Sequence, residues 1–111
     1  MALPLKSFGG INVAAAGTAV RVTAVSQLYR KLIFSAGKTT VNTVANNTGN
    51  AYILSASAKG ASNINVIAVL RPTDQPLTLS QLESASDGFD PSTIWIDVDT
   101  NGDGVTVAGV Q

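Results

Sequence analysis

Short runs of alternating apolar and polar residues, each ended by Gly, Asn, Asp or Pro, constrain this chain more than any other feature. No stretch keeps a helical period over three turns. The runs are typical of half-buried strands, and the residues between them are typical of tight turns. The sequence therefore predicts an all-β fold, an antiparallel β-sandwich or jelly-roll-like barrel of about eight strands. The predicted strands are 18–25, 28–35, 39–45, 51–56, 63–70, 77–79, 93–99 and 105–110.

A chain of 111 residues accommodates one domain, which we place at 18–111, and residues 1–17 are predicted to form an extended N-terminal arm. Pro4 and three glycines interrupt any periodicity in this segment. Two interpretations of this segment are open: a disordered terminus, and an arm that orders against a neighbouring subunit. The apolar side chains that would make such a contact, and so form the candidate interface, are Leu3, Leu5, Phe8, Ile11 and Val13.

Composition excludes several classes of function. Charged residues make up 13% of the chain, about half the usual share, so exposed apolar surface and a protein partner are expected. The seven basic residues are scattered, which argues against nucleic-acid binding. Without His or Cys there is no Ser-His-Asp triad and no ordinary zinc site, so we predict neither an enzyme nor a cofactor. The apolar runs are too short for a membrane helix.

The turn at 99–104 matches the first half of an EF-hand calcium loop. Asp99, Asn101 and Asp103 stand at ligand positions 1, 3 and 5, with Gly104 as the turn glycine. The twelfth position, where a bidentate carboxylate belongs, is Val110. Asn-Gly and Asp-Gly are also favoured hairpin turns. We interpret the segment as a turn, with these three residues as a weak candidate for a cation site.

The strand before this turn holds two further candidates. Asp97 and Asp99 share one strand face at about 6.6 Å, a spacing that could suit a glycosidase pair. We interpret them instead as solvated aspartates on an outer face, because the aromatic-lined cleft that sugar chemistry demands is missing. Trp95 either covers one end of the core or is an interface anchor, since Trp is enriched at binding hot spots.

Four blocks of the chain resemble small virion proteins of tailed bacteriophages. The blocks are GTAVRVT at 17–23, NTGNAYI at 47–53, LRP at 70–72 and DPSTIWIDVDTNGDGVTV at 90–107. The last block is the most specific, and together they extend over nearly all of 17–110. The chain departs from the family pattern in three places. Its 28–44 segment is longer than the matching segment, and Thr73 replaces the Gly that follows the proline in the family. The Gly that the family has after the segment matching 52–54 is absent.

The resemblance implies a compact β domain with a structural role in the virion. The expected function is that of a capsid decoration (cement) protein on the capsid surface, with the major capsid protein as partner. It also implies a homo-oligomer, with a trimer favoured and a dimer possible, since decoration proteins often occupy three-fold positions. The alternative is a receptor- or glycan-binding module on a tail or fibre, acting through the loops 46–50 and 57–62.

Overall fold

The computed structural model describes residues 5–40, 43–80 and 88–111, and it confirms the all-β prediction. These residues form ten strands and two short 3-10 helices, at Ala61–Asn63 and Pro91–Thr93. The strands are β1 (Leu5–Asn12), β2 (Val20–Arg21), β3 (Lys31–Ala36), β4 (Lys38–Thr39), β5 (Val44–Ala45), β6 (Ala51–Leu54), β7 (Val66–Leu70), β8 (Leu77–Ser80), β9 (Trp95–Val98) and β10 (Gly104–Val110).

The strands assemble into two four-stranded antiparallel sheets and one small hairpin. Sheet I has the order β1-β10-β3-β8, and sheet II has the order β2-β9-β6-β7. The hairpin pairs β4 with β5. Most neighbours in the sheets are distant in the sequence, so few pairings could be predicted from the order of the strands alone.

Both sheets contribute to one hydrophobic core. Leu32 and Phe34 of β3 lie in one cluster with Ile53 of β6 and with Ile96 and Val98 of β9, and all five are at most 1% exposed. Their spacing is the period of two that places alternate strand residues on one face. The alternation of 93–99 in the sequence predicts that Ile96 and Val98 share one inward face, and their joint burial confirms this. Each such side chain stabilises the fold by about 1.5–3 kcal/mol.

The predicted N-terminal arm is wrong for the described part of the segment. Leu5–Asn12 is a strand of sheet I, paired along its length with β10. Val13, which directly follows it, is fully buried in the core. The domain therefore begins at or before Leu5 and not at residue 18. A strand that supplies core side chains to its own subunit is not available as an arm for a neighbour.

Two glycines explain why this strand was missed. Gly9 has a φ of 74°, a conformation that glycine adopts freely, and it lies where the β1–β10 register shifts at a bulge. A Cβ on Gly10 would collide with the side chain of Thr39. The glycines are therefore parts of the strand that allow a bulge and a close approach, whereas sequence reasoning interpreted them as breaks.

The bounds of other predicted elements also differ from those in the structure. The predicted strand 18–25 is paired over Val20–Arg21, and the predicted strand 39–45 is a hairpin in which 41–42 lie outside the described residues. The Ser-x-x-Glu capping pattern at 80–83, which predicts one helical turn, also falls largely outside them. None of the helices in the described part of the chain has the length and apolar character needed to cross a membrane.

Candidate protein-binding surface

Sheet I presents a four-stranded face that points away from the core. One row across it joins Ser7, Ala108, Ile33 and Thr78 as direct cross-strand neighbours. Rows that alternate with it carry the buried side chains, so these residues lie on the opposite face. The outer face of sheet I comprises Leu5, Ser7, Gly10, Lys31, Ile33, Ser35, Thr78, Ser80, Thr106, Ala108 and Val110.

This outer face carries little charge. Lys31 is the one charged residue among the eleven, and the others are small, hydroxyl-bearing or aliphatic. Leu5 at its rim is 76% exposed. Five of the eleven residues carry hydroxyl groups that can hydrogen-bond to water, and aliphatic side chains lie between them. The face fits the surface of another protein, because the core of a protein interface is depleted in charged residues.

The outer face of sheet II differs, because it carries the aromatic residues Tyr52 and Trp95. They are diagonal neighbours, since Tyr52 pairs with Asp97 and Trp95 is two residues earlier on β9. The guanidinium carbon of Arg21 lies 4.9 Å from the centre of the Trp95 ring system. The Lys59 ammonium lies 3.8 Å from the centre of the Tyr52 ring. Each ring is thus covered by a cation, an attractive arrangement.

Tyr52 belongs to a small polar cluster at this surface. Its hydroxyl donates to the Asp99 carboxylate, with distances of 2.9 and 2.8 Å to the two oxygens. Lys59 Nζ lies 3.8 Å from Asp99 Oδ1. The hydrogen bond to Asp99 raises the pKa of Tyr52 above its ordinary value of 10.0, and burial and the Asp99 charge act in the same direction. An ionised phenolate would face the carboxylate and lose that bond.

We expect the Asp99→Asn variant to titrate Tyr52 at lower pH than the wild type. The raised pKa of Tyr52 stabilises the fold below pH 10.0, and this contribution is lost as the pH rises through the folded-state pKa. Ultraviolet absorbance of the phenolate across alkaline pH measures the shift. Tyr52→Phe identifies the transition by removing it. Equal Tyr52 titration in the wild type and in Asp99→Asn would contradict the assigned cause.

The prediction of two solvated aspartates is wrong for Asp97. This residue is 2% exposed, and its Oδ1 accepts hydrogen bonds from the backbone N–H groups of Gly17 and Val98. The segment before β2 therefore covers the outer face of β9 at this point. Asp99, in contrast, has a side chain that is 45% exposed. The two carboxylates have different environments and separate structural partners, and they do not form a shared acidic site.

The 99–104 turn uses its side-chain oxygens to hold other segments. Asp99 accepts from Tyr52, and Asn101 Oδ1 accepts from the backbone N–H of Ala16 at 2.8 Å. Asp103 accepts from loop 46–49, as described below. The three candidate cation ligands therefore point to three different segments. Within 5–40, 43–80 and 88–111, no group of three acidic, His or Cys side chains could hold a metal ion.

Asp103 and Asn47 form a buried polar junction that sequence reasoning missed. Asp103 is fully buried and accepts from the backbone N–H groups of Thr48, at 2.9–3.0 Å, and Gly49, at 2.8 Å. Asn47 is 5% exposed and exchanges two hydrogen bonds with the backbone of Gly104, at 2.8 and 3.0 Å. The side chain of Asn47 thus imitates the backbone of a paired strand. The loop 46–49 is bound to the start of β10.

The available sequence signal for this junction was the turn chemistry itself. Asn and Asp side chains commonly hydrogen-bond to nearby backbone, so Asn47 and Asp103 were each interpreted as local turn residues. Their bonds instead connect positions 54–57 residues apart. The Lys38 ammonium, 3.6 Å from Asp103 Oδ1, adds a charge partner to the buried carboxylate. Nothing in the local pattern indicates that these turns meet.

Two clefts lie at the margins of the sheets. One, of about 320 Å³, lies over Phe8, Val22 and Tyr29 and includes Lys6 at its rim. The other, of about 350 Å³, is lined mainly by apolar residues and includes Asp90. Each cleft contains a single charged side chain. Lys6 and Tyr29 are the titratable residues of the first cleft, and Asp90 is that of the second.

The predicted interface residues do not form one surface. Val13 is buried, and Phe8 and Ile11 are partly buried against the core, with Phe8 in an edge-on contact with Tyr29. Val13 is therefore not accessible for a contact between subunits, whereas the assignment of Phe8 and Ile11 to such a contact stays a prediction. Leu5 lies on the outer face of sheet I, Trp95 lies half-buried on sheet II, and Leu3 is outside the described residues.

Comparison with protein-family models, with curated proteins and with solved structures found no match for this chain.

Proposed function

We propose that this protein is a capsid decoration protein that binds the major capsid protein through the outer face of sheet I. The observation that carries the proposal is that this four-stranded face holds a single charged residue, Lys31. A face with a single charge can be covered by another protein without desolvating many charged groups, and the cores of protein interfaces are likewise depleted in charged residues. The resemblance of the 90–107 block to tailed-bacteriophage virion proteins supports a viral shell as the surface that is covered.

The mode of binding follows from the fold. β1 is part of sheet I, so the domain binds as one rigid body and needs no separate arm. Burial of apolar area contributes about 25 cal/mol per Å², so a few hundred Å² would give a useful contact. Many copies on a symmetric shell act together, and a contact between adjacent capsid subunits would resist their separation.

The copy number of the protein in purified virions tests the location. Quantitative mass spectrometry against the major capsid protein is expected to give a ratio near one or a simple fraction of it. A much lower ratio would place the protein on the tail, neck or fibres and would contradict a decoration role. Absence from the particles would contradict any role in the virion.

Ala108→Glu is expected to weaken shell binding at least about tenfold, a change of roughly 1.4 kcal/mol. Ala108 lies on β10 at the centre of the face, directly opposite the uncharged Ser7 and Ile33, so binding would desolvate the new carboxylate. Co-sedimentation with shells lacking the protein measures the effect. Thr73→Glu adds the same charge at an exposed position off the face and should bind as wild type.

Thermal unfolding of both variants verifies that they remain folded. Wild-type binding by folded Ala108→Glu would exclude the outer face of sheet I as the contact. Equal loss in Ala108→Glu and Thr73→Glu would show that binding depends on net charge and would contradict a defined surface. Only a loss confined to Ala108→Glu supports the proposal.

One observation favours a glycan-binding module as the second candidate. Tyr52 and Trp95 share the outer face of sheet II, and Asp99 lies beside Tyr52. Aromatic rings can pack against the apolar face of a sugar ring, and polar groups beside them can hydrogen-bond to its hydroxyl groups. Lys59 and Arg21 cover the rings and would have to move first. Binding to host cells that is lost in Tyr52→Ala, without binding to shells, would favour this candidate over decoration.

A further inference from the structure

We propose that two copies of this chain associate by antiparallel pairing of their β7 strands across a two-fold axis at Val69. The proposal concerns a surface on sheet II and is independent of what the outer face of sheet I binds. β7 is an edge strand, bonded to β6 along one side. Within the described parts of the chain, no strand lies on its other side.

The hydrogen-bond pattern identifies which backbone groups of β7 point outward. The Asp99 N–H donates to the Asn50 carbonyl at 3.0 Å, so these residues form a hydrogen-bonded pair between β9 and β6. Bonding directions alternate along an antiparallel strand, so the next β6 residue, Ala51, directs its backbone toward β7. Ala51 pairs with Leu70. The N–H and carbonyl of Val69 therefore point away from β6, toward the open edge.

Side chains near this edge favour contact with protein over water. Val69 is 45% exposed, Ile67 is 46% exposed and Ile64, just before the strand, is 79% exposed. Exposed edge strands of β-sheets are commonly protected from pairing with other chains by charged residues or proline. Residues 60–70 contain neither, and one bulge at Ile67 interrupts the β6–β7 register. The regular end of the strand, around Val69, is the part left open to pairing.

The chemistry of this edge selects a second copy as the occupant. Backbone donors and acceptors along an open edge can pair with an extended strand. With a two-fold axis at Val69, the N–H of each Val69 would donate to the Val69 carbonyl of the other copy. The same strand would therefore form the contact in both copies. Ala68 would lie opposite Leu70, and no like charges would meet within 60–70. The arrangement is isologous and gives a dimer, whereas the resemblance favoured a trimer.

The pairing stops at Arg71 because the chain turns there. The Arg71 N–H donates to Asp74 Oδ2 at 2.9 Å, and the Arg71 carbonyl accepts from the Asp74 N–H at 3.1 Å. Both backbone groups of Arg71 are thus already used within the subunit. The interface is short, so we expect a weak dimer with a Kd between the micromolar and millimolar ranges, about −8 to −4 kcal/mol. Alignment of several copies on a larger assembly would strengthen it.

Disulfide crosslinking gives a direct test, because the natural chain contains no cysteine. Val69→Cys places two thiols opposite each other in a hydrogen-bonded pair, with a Cα separation of about 5.5 Å that a disulfide can bridge. Mild oxidation of the full chain is expected to convert most of Val69→Cys to a covalent dimer. Ile64→Cys is the matched control, because it is more exposed but lies off the strand, and it should crosslink far less.

Sedimentation equilibrium provides the second measurement. The wild-type chain is expected to dimerise as its concentration approaches about 1 mM. Val69→Lys places like charges across the axis and should shift the Kd at least about tenfold, whereas Ile64→Lys should not. A wild-type monomer at about 1 mM, a dimer that survives Val69→Lys, or equal crosslinking of both cysteine variants would each overturn the proposal. Association of β7 with an extended segment of another protein and not with itself would do so too.

Discussion

Asp103→Ala is expected to destabilise the fold by about 3–5 kcal/mol, one of the two largest effects that we predict. The carboxylate is fully buried and accepts from the backbone N–H groups of Thr48 and Gly49. Hydrogen bonds to a charged group contribute about 1.5–3 kcal/mol each, and donors left without a partner add the cost of their desolvation. The loss is a large fraction of the roughly 5–15 kcal/mol that stabilises an ordinary domain. Chemical denaturation monitored by circular dichroism measures it.

Asp99→Ala is the matched control for this prediction. It removes the same functional group from the same turn, but the Asp99 side chain is 45% exposed and its partners can turn to water. A loss of about 1 kcal/mol or less is expected for such a surface interaction. Asp103→Asn, which keeps the size and one acceptor oxygen, should lie between the two. Equal effects of Asp103→Ala and Asp99→Ala would show that loop 46–49 does not depend on the buried junction.

Removal of residues 1–17 is expected to abolish cooperative folding at 25 °C. The deletion takes away β1, which is one of the two edge strands of sheet I, together with the fully buried Val13 and the partly buried Phe8 and Ile11. A fully buried side chain of this size contributes about 1.5–3 kcal/mol, so these three approach about 5 kcal/mol before the lost hydrogen bonds are counted. Thermal unfolding by circular dichroism or calorimetry measures the effect.

Removal of residues 1–4 supplies the control, because it shortens the terminus without touching β1. This shorter deletion should unfold at nearly the wild-type temperature. The two deletions also distinguish a segment that is a strand of the domain from one that is an arm for a neighbouring subunit. An arm that docks on a neighbour would leave the unfolding temperature of the isolated subunit unchanged when residues 1–17 are removed, and such a result would contradict the placement of β1 in sheet I.

The candidate surface shows what sequence reasoning could and could not reach. Low charge predicted that some apolar surface would be exposed, but it did not indicate where. The sequence predicted 105–110 as a strand, and in the structure Val105 and Val107 lie on its buried face and Thr106 and Ala108 on its outer face. Which strands flank that face depends on the pairing of β10 with β1 and β3. The outer face of sheet I therefore exists only in the assembled sheet.

The sequence by itself determined the all-β class and the inward positions of its clearest strands, such as Ile96 and Val98. This information is local, because a period of two records which residues of one strand share a face. Tertiary structure decided that β1 belongs to the domain, that Asp97 is buried, and that Asn47 and Asp103 meet. These features depend on segments far apart in the chain, and the free energy of their contacts arises only once the chain has folded. Residues that promote turns also form long-range hydrogen bonds, so local patterns could not distinguish the two uses.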